Sequence, residues 1–201
     1  MYRGIYNIIC VDLYGFGQSN SPEPFFDTYE YATQIYLFLR SKGIRRIDII
    51  AHSFGGRIAT IISSMFDIEV NKLVLTGSAG LKPRRGMMYY IQIARYKLRK
   101  KLHISTIGSG SEDYKKSTPT MRSVLVRVVN QHLDYLLSHI KSKTLLIWGE
   151  RDKSTQIYMC KKYQKYINHA SVYIVPRAEH FVLFSHIFIC NNRLKEFLIY
   201  D

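Results

Sequence analysis

At 201 residues and 23.5 kDa the chain has room for one domain with a sizeable core, plus a subdomain inserted in it. A 47% hydrophobic content is that of a globular protein, and no uninterrupted apolar run approaches the ~18 residues that span a bilayer. The net charge of +14 raises nucleic acid or anionic membrane as partners, but it is concentrated: Gly80 to Ser111 holds eight basic residues, Lys82, Arg84, Arg85, Arg95, Lys97, Arg99, Lys100 and Lys101, and no acid.

Met1-Tyr2-Arg3 leads straight into a strand-like run with no signal-peptide pattern, so the expected compartment is the cytoplasm. Tyr6 to Val11 predicts a buried strand, followed by the loop Asp12-Leu-Tyr-Gly15-Phe-Gly17-Gln-Ser19. That Gly-x-Gly is not a dinucleotide fingerprint, because no third glycine follows and Pro22 and Pro24 occupy the place where the cofactor-binding helix would start. No cofactor is expected. Asp27 with Glu30 reads as a capping box, and Tyr31, Ile35 and Leu39 repeat at helical spacing until Gly43. A strand at Ile47 to Ala51, a helix at Ile58 to Phe66 and a strand at Lys72 to Thr76 come next. Strands alternating with helices predict an α/β fold, a mostly parallel sheet with helices on both faces.

From Lys82 the rhythm changes. Two amphipathic segments, Met87 to Leu102 and Met121 to Ile140, flank Gly108 to Ser111 and predict a helical insertion, which divides the chain into core residues 1–81, insertion 82–143 and core residues 144–201. The second core part predicts a strand at Thr144 to Trp148, a helix at Gln156 to Ile167, a strand at Ser171 to Val175 and a closing helix at Phe184 to Tyr200. Cys10, Cys160 and Cys190 have no paired spacing and read as reduced structural thiols. No metal is expected: Cys-x-x-Cys and His-Glu-x-x-His are absent, and His132 and His139 read as two surface histidines on one helical face.

The chemistry centres on Ile49-Ile50-Ala51-His52-Ser53-Phe54-Gly55-Gly56-Arg57-Ile58, a strand that breaks at a serine and resumes as a helix. So tight a turn brings residues 51 and 55 together, and small Ala51 and Gly55 stand there. Ser53 would be strained and exposed, and the Phe54 amide at the helix N-terminus could donate to a developing oxyanion. A serine nucleophile needs a base, and the base needs an orienting acid. Asp152 directly follows one predicted strand and His180 follows another, so both emerge at the sheet edge where Ser53 does.

In this arrangement and order the chain resembles the α/β-hydrolase superfamily, in its serine-nucleophile, cofactor-free branch. Asp12 to Ser19 resembles the family's loop after strand four, Ala51-His-Ser53-Phe-Gly55-Gly56 the nucleophile elbow, Leu145 to Asp152 the strand and acid loop, and Ala178-Glu-His180-Phe the histidine loop. The likeness runs over about Ile8 to Ser78 and Lys143 to Leu198, with the insertion standing where the family has its lid. It implies Ser53 as nucleophile, His180 as general base and then acid, Asp152 as its partner, and the Phe54 amide as oxyanion donor. Asp12 is assigned to holding its own turn. The implied reaction is hydrolysis of an ester or C–C bond of a small carbonyl compound through an acyl-enzyme.

The chain departs from the family in starting at what would be strand four. The loop after strand three, which supplies a second oxyanion amide, has no counterpart, and losing one such donor costs ~10²–10³ in rate. Tyr6–Val11 and Ile47–Ala51 must therefore pair directly or leave an edge open. Both departures predict a fragment with little esterase activity, and they keep a second class in view, an inactive hydrolase-like binding or interaction module. The basic stretch also allows contact with anionic lipid or a phosphate chain through Met87, Tyr90, Ile91, Ala94 and Leu98. A lid helix with a solvated basic face explains it better, so neither nucleic acid nor a membrane is the expected partner.

Overall fold

The β-branched runs form four strands: β1 (Arg46–His52), β2 (Glu69–Thr76), β3 (Lys143–Gly149) and β4 (Ala170–Val175), side by side in that order and parallel throughout. These positions come from a computed structural model that describes residues 4–84 and 117–200. Each strand begins or ends within three residues of its sequence expectation. The chain has the predicted α/β fold, a parallel sheet with helices on both faces, with four strands among the described residues.

Side chains alternate across the sheet. Leu73, Leu75, Leu146 and Trp148 face helix α4 (Ile157–Tyr166), packing with Met159, Cys160 and Tyr163. Val74, Leu145, Ile147 and Val175 face the opposite way, against Leu194, Phe197 and Leu198 near the C-terminus. A third cluster joins α1 (Thr28–Ser41), α2 (Phe54–Met65) and α3 (Pro119–Asn130) through Tyr31, Leu39, Ile61, Ile62, Val124 and Val128. Asp27 caps α1 as expected, its Oδ1 accepting from the amides of Tyr29 (2.7 Å) and Glu30 (3.0 Å).

Several expectations are corrected. Tyr6–Val11 is not a buried strand: the segment is outside the sheet, with Ile8 60% and Ile9 48% exposed. An apolar, β-branched run becomes a strand only beside a ladder partner, and a groove of about 710 Å³ separates this segment from β1. Of the two alternatives, the open edge is the one observed: among the described residues β1 pairs only with β2.

The predicted helix over Met121–Ile140 ends at Asn130 and gives way to a 3₁₀ turn at Asp134–His139. Contacts distant in sequence break it. Arg57 Nη1 donates to the carbonyls of Val128 (2.8 Å) and Gln131 (2.6 Å), Gln131 reaches the Thr28 amide and Asp27, and the Leu133 amide turns to the Gly80 carbonyl (2.8 Å). His132 and His139 consequently do not share one helical face.

The closing segment is also interrupted. It forms α5 (Val182–Ser185), α6 (Ile187–Lys195) and a wider π turn at Glu196–Tyr200, with His186 at φ −130° between the two helices. Cys160 and Cys190 are buried thiols, the former pushed up to about 12 by burial, but Cys10 is exposed rather than structural. The Met87–Leu102 helix, Gly108–Ser111 and six of the eight clustered bases lie outside the described residues. No helix among the described residues is long and apolar enough to cross a membrane.

Candidate active site

Ser53 stands at the junction of β1 and α2 with φ 49° and ψ −110°, a conformation an L-residue avoids and one that costs ~1–3 kcal/mol. Hydrogen bonds hold it there: its amide donates to the Thr76 carbonyl (3.0 Å), and its own carbonyl accepts from Ala79 (3.0 Å) and Gly56 (3.1 Å). The Phe54 amide opens α2, where the helix's own ladder has no acceptor for it.

The three side chains singled out from the sequence converge. His180 Nε2 lies 2.9 Å from Ser53 Oγ, and His180 Nδ1 lies 2.8 Å from Asp152 Oδ2. An ionised carboxylate can only accept, so Nδ1 carries the proton and Nε2 is free to accept from the serine hydroxyl. Asp12, in contrast, stays with its own turn: its carboxylate accepts from the Gln18 amide (3.0 Å) and its carbonyl from the Ser19 hydroxyl (2.7 Å).

The Asp152 side chain is fully enclosed. Burial alone would raise its pKa, but the His180 hydrogen bond and the Thr155 amide and hydroxyl outweigh it, so the carboxyl lies below its ordinary range. Its two oxygens accept from Ser154 N (2.9 Å), Thr155 N (2.8 Å), Thr155 Oγ1 (2.8 Å) and His180.

Several supporting residues had no assigned role in the sequence. Thr155 is one. Gly77, at φ 48°, is another: a Cβ there would sit 3.1 Å from His180 Nδ1 and 3.2 Å from Asp152 Oδ2. Gly149 lets the histidine loop cross the end of β3, since a Cβ would overlap the Glu179 carbonyl and lie 2.5 Å from that of Ala178. The elbow's tightest contact is at Gly56, where a Cβ would overlap the Ser78 hydroxyl, whereas at Gly55 it would meet Ala51 at an ordinary 3.8 Å. Gly77 and Gly149 each directly follow a predicted strand, which marks a turn but not what the turn accommodates, and Thr155 carried no signal.

His52 borders the cluster. Its ring is 4.8 Å from that of His180, and its Nδ1–H donates to the Thr76 carbonyl (3.0 Å). Burial and the neighbouring His180 both lower its pKa, which keeps a second positive charge away from His180. Among the described residues no group of three or more His, Cys, Asp and Glu is placed to hold a metal ion.

Comparison with known proteins gives consistent results. A family profile described as the alpha/beta hydrolase fold matches residues 3–92. A 2-hydroxy-6-oxo-6-(2'-aminophenyl)hexa-2,4-dienoic acid hydrolase of Metapseudomonas resinovorans is 22% identical over 202 residues, covering 90% of this chain and 70% of the relative. An uncharacterised Mycobacterium tuberculosis protein is 32% identical over 76 residues, 38% of this chain and 22% of the relative. Among solved structures, a serine hydrolase involved in carbazole degradation superposes with a TM-score of 0.70 at 21% identity, covering 93% of this chain and 77% of that one. A meta-cleavage product hydrolase of Pseudomonas fluorescens IP01 does so at 0.67 and 18%, covering 92% and 77%.

Proposed function

We propose that this chain, which belongs to the α/β-hydrolase superfamily, is a serine hydrolase that cleaves an ester or C–C bond of a small carbonyl compound through an acyl-enzyme. The observation that carries the reading is the continuous hydrogen-bonded line from Ser53 Oγ through both nitrogens of His180 to Asp152 Oδ2, at 2.9 and 2.8 Å. Its members come from three loops up to 127 residues apart, and they leave the same edge of the sheet.

In this reading Ser53 Oγ attacks the substrate's carbonyl carbon while its proton passes to His180 Nε2. Asp152 steadies the resulting imidazolium, and the Phe54 amide donates to the oxyanion. Collapse breaks the bond to the leaving group, an alkoxide or a carbanion, which takes the proton from His180. Water, deprotonated by His180, then attacks the acyl carbon, and Ser53 is restored as the acid departs. Likeness to hydrolases of dienoic acids and meta-cleavage products supports including C–C cleavage beside ester cleavage.

The second reading is a hydrolase-like binding or interaction module. It is favoured by the open edge of β1 and by an oxyanion site with Phe54 as its one assigned donor. A fluorophosphonate probe separates the two, because it labels only an activated serine. We expect Ser53 to be labelled and Ser53→Ala to abolish both labelling and turnover of a short nitrophenyl ester. Absence of labelling in the folded wild-type chain would reject the hydrolase reading.

A further inference from the structure

From Phe181 to Leu194 apolar side chains face both the sheet and the outside, interrupted by Ser185 and His186. Val182, Cys190 and Leu194 point inward to the sheet, while Phe184 and Phe188 are 77% and 84% exposed, with Phe181 and Ile187 exposed beside them. Bulky aromatics this exposed, in a run with exposed Ile187 and Ile189, mark a contact surface. The sequence expectation of one closing helix gave no sign of it, and the chain instead breaks at His186, between Phe184 and Phe188.

Charge narrows the choice of partner. The chain carries 29 bases against 15 acids, so a second copy is repelled. A phosphate chain is attracted, but residues 178–192 hold no Lys or Arg to grip it among the phenylalanines. The loops flanking the patch do carry bases: Arg151, Lys153 and Arg177 are exposed there, with Glu150 and Glu179 between them. A surface that is apolar beneath and negative above matches both features. Phe184 and Phe188 are each more than three-quarters exposed, which suits insertion into lipid.

We infer that Phe184, Ile187 and Phe188 seat the protein peripherally on an anionic lipid surface. Phe181 links this patch to the active site, 5.3 Å from the His180 ring and 6.5 Å from that of Phe184, so the site would open at the lipid boundary. This contact does not depend on the hydrolase reading, since neither Phe184 nor Phe188 takes part in the proposed chemistry.

Sedimentation of the full chain with vesicles tests it, comparing phosphatidylcholine alone with phosphatidylcholine containing about 30% phosphatidylglycerol. The wild type is expected to sediment with the anionic vesicles only. Phe184→Ser/Phe188→Ser should lose about a hundredfold in partitioning, the scale of withdrawing two phenylalanines from an apolar phase, while still reacting with the fluorophosphonate as the wild type does. Phe188→Trp supplies a reporter against one native tryptophan, buried Trp148, and its emission should shift to the blue on the same vesicles. Failure to sediment at low salt, equal binding by the double variant, or an unshifted Phe188→Trp spectrum would each overturn the inference. So would a wild-type dimer that the double variant abolishes, or an acidic protein that competes with the vesicles for the patch.

Discussion

Gly55 and Gly56 follow Ser53 side by side, yet their surroundings differ by a methyl group's worth of room. Gly55→Ala should keep stability within about 1 kcal/mol of wild type, since alanine also favours the helix. Gly56→Ala must push Ser78 aside and should lose about 1–3 kcal/mol. Gly77→Ala is different again: its positive φ costs about 1–2 kcal/mol for any L-residue, and its methyl group presses on His180 and Asp152. Its rate of Ser53 labelling should therefore fall further than its unfolding free energy predicts. Urea unfolding and labelling rates, measured together on the three variants, check this ordering. The same residues set the pH response. The His52 pKa is depressed in the fold, so protonation favours the unfolded chain, and stability is lost as pH falls below about 6.5. The Asp152 pKa is depressed too. Its stabilisation is present above about pH 4 and disappears as pH falls through the lower folded value. Unfolding free energy from pH 7 to 3 should thus decline in two stages, His52→Gln removing the first and Asp152→Asn the second. A single stage unaffected by His52→Gln would contradict the assignment.

Elements were legible where their stability is local. Four β-branched runs, the Asp27 cap and the serine turn were each readable from a few neighbouring residues, and the structure places strands and turn where the pattern put them. The line joining Ser53, His180 and Asp152 was legible for a related reason: in a parallel sheet the loops that follow the strands all leave by one edge, where ligands bind. What failed depended on partners far along the chain. Tyr6–Val11 has the composition of a strand but no ladder beside it. The helix over Met121–Ile140 has the periodicity, but Arg57 and Gln131 divert its carbonyls and its course. Gly149 and Thr155 were invisible because what they accommodate, the Ala178–Glu179 backbone and the Asp152 carboxylate, is fixed only once β3 and β4 are paired. Ser78, which forces glycine at position 56, also hydrogen-bonds buried Tyr163, 85 residues on.

For the whole molecule two features oppose each other. Among the described residues the edge of β1, with Ile50 48% exposed beside it, has no ladder partner and so offers backbone groups to another strand. The net charge of +14 keeps copies apart. Only the second is screened by salt. The Debye length falls from about 30 Å at 0.01 M to about 3 Å at 1 M, so the repulsion vanishes at distances where edge pairing is still unformed. Raising sodium chloride across that range should therefore drive self-association, seen by light scattering together with the infrared signature of intermolecular β-structure. Ile50→Lys places a charge next to the edge and removes an apolar contact, and it should move the onset to higher salt. Phe184→Ser/Phe188→Ser, altered on a different surface, should aggregate at the wild-type threshold. Were the double variant protected and Ile50→Lys not, the aromatic patch rather than the strand edge would be the seat of self-association.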